Sequence, residues 1–254
     1  MSNVAASIVL IHGLWLSPDS WQAWIERYRA AGHIVHAPAW PQDPGIGLAE
    51  AVDHFDAFVQ ALPDPPILIG HSMGGLITQL LLDRGLGWAG IAIQPSKPRG
   101  VLRVPLSMWR SIWPVLRDPR HRGGEVPISP AHFHYVFANT MSRAESDRWH
   151  ARLAIPAPGR VIFDLAVADF KPKSKAANAI DFARSDRAPL LLIAGDRDRA
   201  TPESMIYENY NRYRRSPAPT GFKVFHGMPH LITVLDGWED VADYALTWTA
   251  RHIT

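Results

Sequence analysis

The feature that most constrains this chain is the segment 66–76, which reads PILIGHSMGGL. A short apolar run enters a Gly-x-Ser-x-Gly pentapeptide and a helical pattern follows at once, so the segment predicts a strand, a sharp turn and a helix with Ser72 at the corner. Gly70 and Gly74 carry no side chains that would collide across such a turn. We expect Ser72 to adopt a strained backbone conformation that exposes its hydroxyl beside the free N–H groups of the helix N-terminus.

A nucleophilic serine is the interpretation that this turn favours. A serine hydroxyl is a weak nucleophile and needs a base beside it, which requires that the side chain be held clear of the backbone. The pentapeptide alone also fits a glycine-rich turn with an idle serine, because glycine is common enough for the pattern to arise by chance in roughly one chain in ten. The strand before it and the helix after it favour the functional interpretation.

Apolar runs typical of buried strands alternate with amphipathic helical patterns over most of the chain. The predicted strands cover residues 7–11, 33–38, 66–70, 88–94, 189–194 and 222–225. The predicted helices cover residues 18–31, 48–62, 73–84, 202–213 and 239–251. Such alternation predicts an α/β fold with a mostly parallel sheet flanked by helices on both faces.

Residues 95–188 interrupt this alternation with proline, arginine and helical periodicity. Four helices are predicted there: one over Pro105–Arg117, one after the Ser129-Pro130 cap, one after a capping box of Ser142 and Glu145, and one over Gly159–Phe170. We therefore expect an inserted helical cap over residues 95–188. The α/β core is expected from residues 1–94 together with residues 189–254.

Composition excludes several classes of function. The 254 residues carry a formal charge of +2, and 47% of them are hydrophobic and 20% charged, as in soluble globular proteins. The basic cluster of Arg212, Arg214 and Arg215 ends a predicted helix, where the helix dipole favours cations, so no nucleic-acid partner is expected. The sequence has no cysteine, which excludes disulfides, thiolate catalysis and cysteine zinc sites.

The N-terminal region predicts no targeting or membrane-spanning segment. Its apolar run, residues 8–11, is far too short for a signal peptide or a transmembrane helix. We therefore expect a cytoplasmic protein with a small-molecule substrate and no membrane partner. Its oligomeric state is not readable from the sequence.

Several predicted loops leave the carboxyl ends of strands, where ligands gather in open parallel sheets. Ser72 is the predicted nucleophile, and His230, after the last strand, is the predicted base that takes its proton. Asp198, after the preceding strand, is predicted to orient the imidazole and stabilise its cation. The backbone N–H groups of Leu14 and Met73 are predicted to receive the oxyanion.

With these residues, the chain resembles the α/β-hydrolase fold family over nearly its whole length. The matching pieces are His12-Gly13 after the first strand, the 70–74 pentapeptide, the turn 195–198 and the loop 227–230. The resemblance implies a serine–aspartate–histidine triad beneath a lid, with no metal and no organic cofactor. One difference is that the two short strands that often precede the first of these pieces are absent from the pattern.

Two of the three triad positions, the acid and the base, each have a neighbour that competes with them. Asp196 lies in the same turn as Asp198, but the family takes its acid from the end of this turn, so Asp196 is predicted to bond its own turn backbone. His226 lies four residues before His230 and is predicted to be structural. The H-x-x-x-H spacing is also found in zinc sites, but here it falls in a proline-containing loop and not on a helix, so no metal is predicted.

Other histidines are expected to have structural roles or none. His12 is predicted to form hydrogen bonds within the loop after the first strand, and His71 to pack behind the serine. His132 and His134 alternate on a cap helix and cannot share one helical face, so no role is assigned to them.

The aromatic residues of the cap allow two interpretations. Their spacing is explained if they bury against one another and against the sheet. Alternatively, some of them line an apolar pocket over Ser72. The residues predicted to contact substrate in this way are Trp15, Trp109, Trp113 and Phe137.

Three functions are compatible with these patterns. The favoured one is a serine hydrolase that cleaves a small apolar carboxylic ester or lactone through an acyl-enzyme on Ser72. The second uses the same triad for another reaction of the family, such as carbon–carbon bond or amide hydrolysis or cofactor-free haloperoxidase chemistry. The third is a ligand-binding protein of this fold without catalysis.

Overall fold

The computed structural model describes residues 6–253, which form eight strands. Six of them make one parallel sheet, and the remaining two pair with each other in antiparallel fashion. The strands are β1 Ser7–Ile11, β2 Ile34–His36, β3 Ile67–His71, β4 Ala89–Ile93, β5 Glu125–Val126, β6 Ala157–Pro158, β7 Leu190–Gly195 and β8 Thr220–Phe225. The order in the large sheet is β2-β1-β3-β4-β7-β8, so the carboxyl ends of all six strands lie at one edge.

Nine α-helices lie between and after these strands in the described residues. They are α1 Gln22–Ala30, α2 Leu48–Gln60, α3 Met73–Asp83, α4 Leu106–Leu116, α5 Pro130–Val136, α6 Arg143–Leu153, α7 Gly159–Val167, α8 Glu203–Arg212 and α9 Trp238–His252. None of them is both long and apolar enough to cross a membrane. The predicted α/β fold, a parallel sheet flanked by helices, is confirmed.

The central strands β3, β4 and β7 are buried along their whole lengths. Alternate side chains of β1 point to opposite faces of the sheet: Ile8 and Leu10 pack with the aromatic residues of α1 and with α9, whereas Val9 and Ile11 pack with α2 and α3. A parallel sheet covered on both faces requires such continuous apolar strands. The carboxyl edge is therefore formed by strands that are packed on both faces.

The helical segment, residues 95–188, leaves the sheet after β4 and returns at β7. It is fastened to the loop after β1 by backbone hydrogen bonds from Ser17 N to Leu153 O (3.1 Å) and from Ile155 N to Trp15 O (3.1 Å). The indole N–H of Trp15 also donates to Val126 O at 2.9 Å. The helical segment therefore packs directly over one of the loops at the carboxyl edge.

Several element bounds differ from the sequence prediction. The first helix begins with a 3-10 turn over Pro18–Trp21, and the helix predicted to reach Phe170 is α-helical only to Val167. The two-residue strands β5 and β6 were not predicted, because a pair this short has no periodicity to detect.

Candidate active site

Ser72 lies at the corner between β3 and α3 with φ 56° and ψ −115°, a conformation that non-glycine residues rarely adopt. A Cβ atom on Gly70 would lie 2.0 Å from Gly74 O, and one on Gly74 would lie 2.0 Å from Ile11 O. Both positions therefore require glycine. The Ser72 amide donates to Ile93 O at 2.9 Å, which ties the corner to the neighbouring strand.

The structure brings the predicted serine, histidine and aspartate into one hydrogen-bonded chain. His230 Nε2 is 2.9 Å from Ser72 Oγ, and His230 Nδ1 is 2.7 Å from Asp198 Oδ2. Because a carboxylate only accepts, Nδ1 carries the ring proton and Nε2 is left to accept the serine hydroxyl proton. Both the imidazole and the carboxylate are buried, so water does not compete for these bonds.

Asp198 is held ionised by its surroundings. Burial raises the pKa of Asp198, but the nearby His230 and several hydrogen bonds outweigh this and bring the pKa below its ordinary value. Its Oδ1 accepts from the amides of Ala200 (2.7 Å) and Thr201 (2.9 Å), and the Thr201 hydroxyl lies 2.8 Å from Oδ2. The carboxylate is thus fixed in position and faces the imidazole.

Asp196 and His226 form a separate pair, away from Ser72. Asp196 accepts from the amide of Gly227 at 2.7 Å, and its other oxygen lies 3.1 Å from His226 Nδ1. The prediction that Asp196 bonds its own turn is therefore wrong: it links the loop after β7 to the loop after β8. His226 and His230 have different carboxylate partners and do not face a common site.

His230 is positioned by residues from three other elements. His71 Nε2 donates to its carbonyl oxygen at 2.8 Å, and the ring of Phe137 packs 5.1 Å from its ring. Burial is the main cause that lowers the pKa of His71 to about 3, so this imidazole stays neutral. Gln94 Nε2 donates to Pro229 O at 2.9 Å and holds the preceding peptide.

Gln94 and Thr201 are site residues that the sequence interpretation missed. Gln94 follows the fully apolar β4 at the carboxyl edge, takes a positive φ of 45°, and its carbonyl oxygen lies 2.9 Å from the Thr201 hydroxyl. The signal that would have identified it is a polar residue directly after an apolar central strand, at the edge where ligands gather.

The loop after β1 passes close to the serine. A Cβ atom on Gly13 would lie 2.8 Å from Ser72 Cβ, so the chain passes the serine at a distance that only glycine permits. The amides of Leu14 and Met73 have no backbone acceptor within residues 6–253, and both residues line the cavity over Ser72. His12 donates from Nδ1 to Gly13 O at 3.0 Å, and burial lowers its pKa to about 4.

A cavity of about 80 Å³ lies over Ser72 and His230. Most of its wall is apolar, with side chains from the helical segment facing the serine. Those apolar side chains are Met108, Ile112, Val136, Phe137, Ile162, Leu165 and Ala166. Trp15 also lines it, so Trp15 and Phe137 lie where a substrate contact was predicted.

Trp109 and Trp113 do not line this cavity, which corrects their predicted contact with substrate. Both lie on α4, but that helix turns its Met108, Ser111 and Ile112 side chains toward the cavity. The two tryptophans are on the opposite, exposed side. Helical spacing shows that Trp109 and Trp113 share one face of α4. It does not show which face of the helix turns toward the cavity.

This arrangement is able to move a proton from a serine hydroxyl to a buried, oriented imidazole. Leu14 and Met73, whose amides have no backbone acceptor within residues 6–253, line the same cavity. The wall next to them offers apolar surface for the remainder of a ligand.

Comparison with known proteins identifies the family of this chain. A sequence model described as "Alpha/beta hydrolase family" matches residues 8–244. The chain is similar in structure to a monoacylglycerol lipase from Paleococcus ferrophilus, with 22% identity, a TM-score of 0.68, and coverage of 97% of this chain and 94% of that chain.

Two plant proteins are similar at the level of the fold. The methylesterase MES16 from Arabidopsis has 16% identity and a TM-score of 0.66, with coverage of 96% of this chain and 99% of that chain. Tomato Methylketone Synthase I, complexed with 2-tridecanone, has 14% identity and a TM-score of 0.71, with coverage of 98% and 99%. Since the family match spans most of the sequence, the chain belongs to the alpha/beta hydrolase family of enzymes.

Proposed function

We propose that this chain is a serine hydrolase that cleaves small apolar carboxylic esters or lactones through an acyl-enzyme on Ser72. The observation that carries the proposal is the continuous chain of hydrogen bonds from Asp198 through His230 to Ser72, at the wall of an apolar cavity. Similar solved structures described as a monoacylglycerol lipase and a methylesterase support ester cleavage in general.

Acylation begins when Ser72 Oγ attacks the ester carbonyl carbon while His230 Nε2 takes the hydroxyl proton. The carbonyl oxygen becomes an oxyanion and accepts hydrogen bonds from the amides of Leu14 and Met73. The intermediate then collapses, the bond to the alcohol oxygen breaks, and His230 returns its proton to that oxygen. The acyl group remains on Ser72.

Deacylation repeats these steps with water as the nucleophile. His230 takes a proton from water, the hydroxide adds to the acyl carbonyl, and the bond to Ser72 Oγ breaks as the proton passes to that oxygen. A carboxylic acid is released. Asp198 stays ionised throughout and stabilises the imidazolium that forms in each half of the reaction.

The size of the cavity supports a short acyl group. About 80 Å³ lined mostly by apolar side chains favours acyl chains of few carbons. Ester cleavage is tested with p-nitrophenyl acetate, butyrate, octanoate and decanoate. We expect the two short esters to be hydrolysed with the higher kcat/KM, and no turnover by Ser72→Ala.

The matched control is Ser174→Ala, which removes an exposed serine hydroxyl outside the site. It is expected to keep the wild-type rate on every ester. Turnover by Ser72→Ala equal to that of Ser174→Ala would refute the acyl-enzyme mechanism, and a wild type inactive on all four esters would refute ester hydrolysis.

A further inference from the structure

The outward side of α4 is an exposed amphipathic surface. We define the α4 outer face as Leu106, Trp109, Arg110, Trp113 and Arg117. At 100° per residue these side chains fall within one arc of the helix, opposite the buried Ser111 and Val115. Leu106 is 84% exposed, Trp109 44% and Trp113 57%.

The charge around this face is positive and not neutralised. Residues 101–124 contain five arginines and a single acidic residue, Asp118, in a chain whose total formal charge is +2. Asp118 is paired with Arg120. Within residues 6–253, neither Arg110 nor Arg117 has a carboxylate within 4 Å. The face therefore favours a negatively charged partner.

The same helix forms part of the cavity wall over Ser72. Met108 and Ile112 line the cavity, whereas Trp109 and Trp113, one residue further along in each case, point away from it. Outside α4, the apolar side chain of Phe170 is also exposed, by 89%. It follows Asp169, which accepts from the amide of Gly100 at 2.9 Å and so brings Phe170 beside the chain that leads into α4.

We propose that the α4 outer face binds the surface of an anionic lipid bilayer, with the helix lying in the plane of the interface. Indoles favour the boundary between headgroups and acyl chains, while flanking arginines bind anionic headgroups. Side chains that project as far as Leu106 and Phe170 suit a fluid surface, which accommodates them without a preformed complementary groove. This mode of binding needs no membrane-spanning segment. It revises the prediction of no membrane partner, but only with respect to binding at the bilayer surface.

Vesicle flotation tests this with the full chain. Unilamellar vesicles of phosphatidylcholine with 30 mol% phosphatidylglycerol are compared with vesicles of phosphatidylcholine alone, at about 50 mM salt. We expect binding to the anionic vesicles that falls as salt is raised. Trp109→Ser with Trp113→Ser is expected to lower the partition coefficient about tenfold or more, and Arg117→Gln about fivefold.

The matched control is Trp88→Ser. Trp88 is also 44% exposed, but it lies outside the helical segment, directly before β4 of the sheet. This variant is expected to bind as the wild type does, and thermal unfolding by circular dichroism checks that every variant is folded. The proposal is overturned if the wild type does not float with anionic vesicles, if Trp88→Ser loses as much binding as the double variant, or if the face instead joins two copies of the chain in sedimentation. Flotation needs no turnover, so its outcome is independent of the proposed reaction.

Discussion

At the scale of single residues, two aspartates two positions apart have different partners because the turn after β7 directs them to opposite sides. Asp198 points inward to His230 and the Thr201 amide, whereas Asp196 points outward to the amide of Gly227. The two carboxylates are chemically identical and close in sequence. Replacing each of them with asparagine therefore distinguishes the proposed role of Asp198 in catalysis from the general effect of removing a negative charge.

Asp198→Asn is expected to lower kcat/KM for a short p-nitrophenyl ester by about 10⁴-fold, because the amide favours the wrong imidazole tautomer and stabilises no imidazolium. Asp196→Asn is expected to lower it less than about fivefold, since that pair only joins two surface loops. Steady-state kinetics on both variants decides the matter. A larger loss in Asp196→Asn would reassign the acid.

Gly74 tests the packing of the serine turn at the same scale. Gly74→Ala places a methyl group 2.0 Å from the Ile11 carbonyl oxygen, so β1 and α3 must separate. We expect the free energy of unfolding in urea to fall by about 3 kcal/mol or more. Gly123→Ala, whose added methyl meets nothing within 4 Å, is the control and is expected to change it by less than about 0.5 kcal/mol. Equal stability of the two variants would contradict the tight turn.

At the scale of elements, α4 shows what sequence reasoning reaches and where it stops. The helix was predicted over Pro105–Arg117 and is observed over Leu106–Leu116, because its apolar periodicity is local information. Both of its faces carry apolar side chains, however, and periodicity does not say which one a distant part of the chain will cover. The choice of Met108 and Ile112 over Trp109 and Trp113 is made by tertiary packing.

The serine turn, in contrast to the inward face of α4, was predictable from the local sequence. Its strand, its glycines and its serine lie in one short segment whose pattern is readable locally, even though Gly74 is also required by the close approach of the Ile11 carbonyl oxygen of β1. The Asp196 contact was not predictable, because its partner lies 31 residues away in another loop. Local constraints are thus readable from the sequence, and pairings between loops depend on the assembled sheet.

The two faces of α4 make distinct predictions for selectivity. Ile112→Trp fills part of the cavity and is expected to lower kcat/KM for the octanoate ester at least about tenfold relative to the acetate ester. Trp113→Ala changes the next residue, which lies outside the cavity. It is expected to keep the octanoate-to-acetate ratio of kcat/KM within about twofold of the wild-type ratio. The ratio is measured with p-nitrophenyl esters, and an unchanged ratio in Ile112→Trp would argue that the acyl chain binds elsewhere.

At the scale of the whole molecule, the sheet buries two neutral histidines. Burial is the main cause that lowers the pKa of His12 to about 4 and that of His71 to about 3. In the unfolded chain both imidazoles titrate near about 6.5. Below that pH the unfolded state therefore binds more protons than the folded state, and acid favours unfolding.

The free energy of unfolding is expected to fall as the pH is lowered from about 6.5 to 5, by about 1.4 kcal/mol per pH unit for each of the two histidines. Above about pH 7 both imidazoles are neutral in either state, so this contribution vanishes there. Urea unfolding at pH 7.5, 6 and 5 measures it. His12→Asn should show a shallower slope than the wild type, and a wild-type profile flat from pH 7.5 to 5 would contradict the burial of these two groups as neutral imidazoles.

The most direct measurement of the central claim is covalent labelling with a fluorophosphonate, followed by intact mass and peptide mapping. The reagent phosphonylates a serine only where a base and oxyanion donors activate it. We predict stoichiometric labelling of the wild type at Ser72, slower labelling of Asp198→Asn, and none of Ser72→Ala or His230→Ala. A wild type that stays unlabelled, or one labelled equally well without His230, would contradict the account.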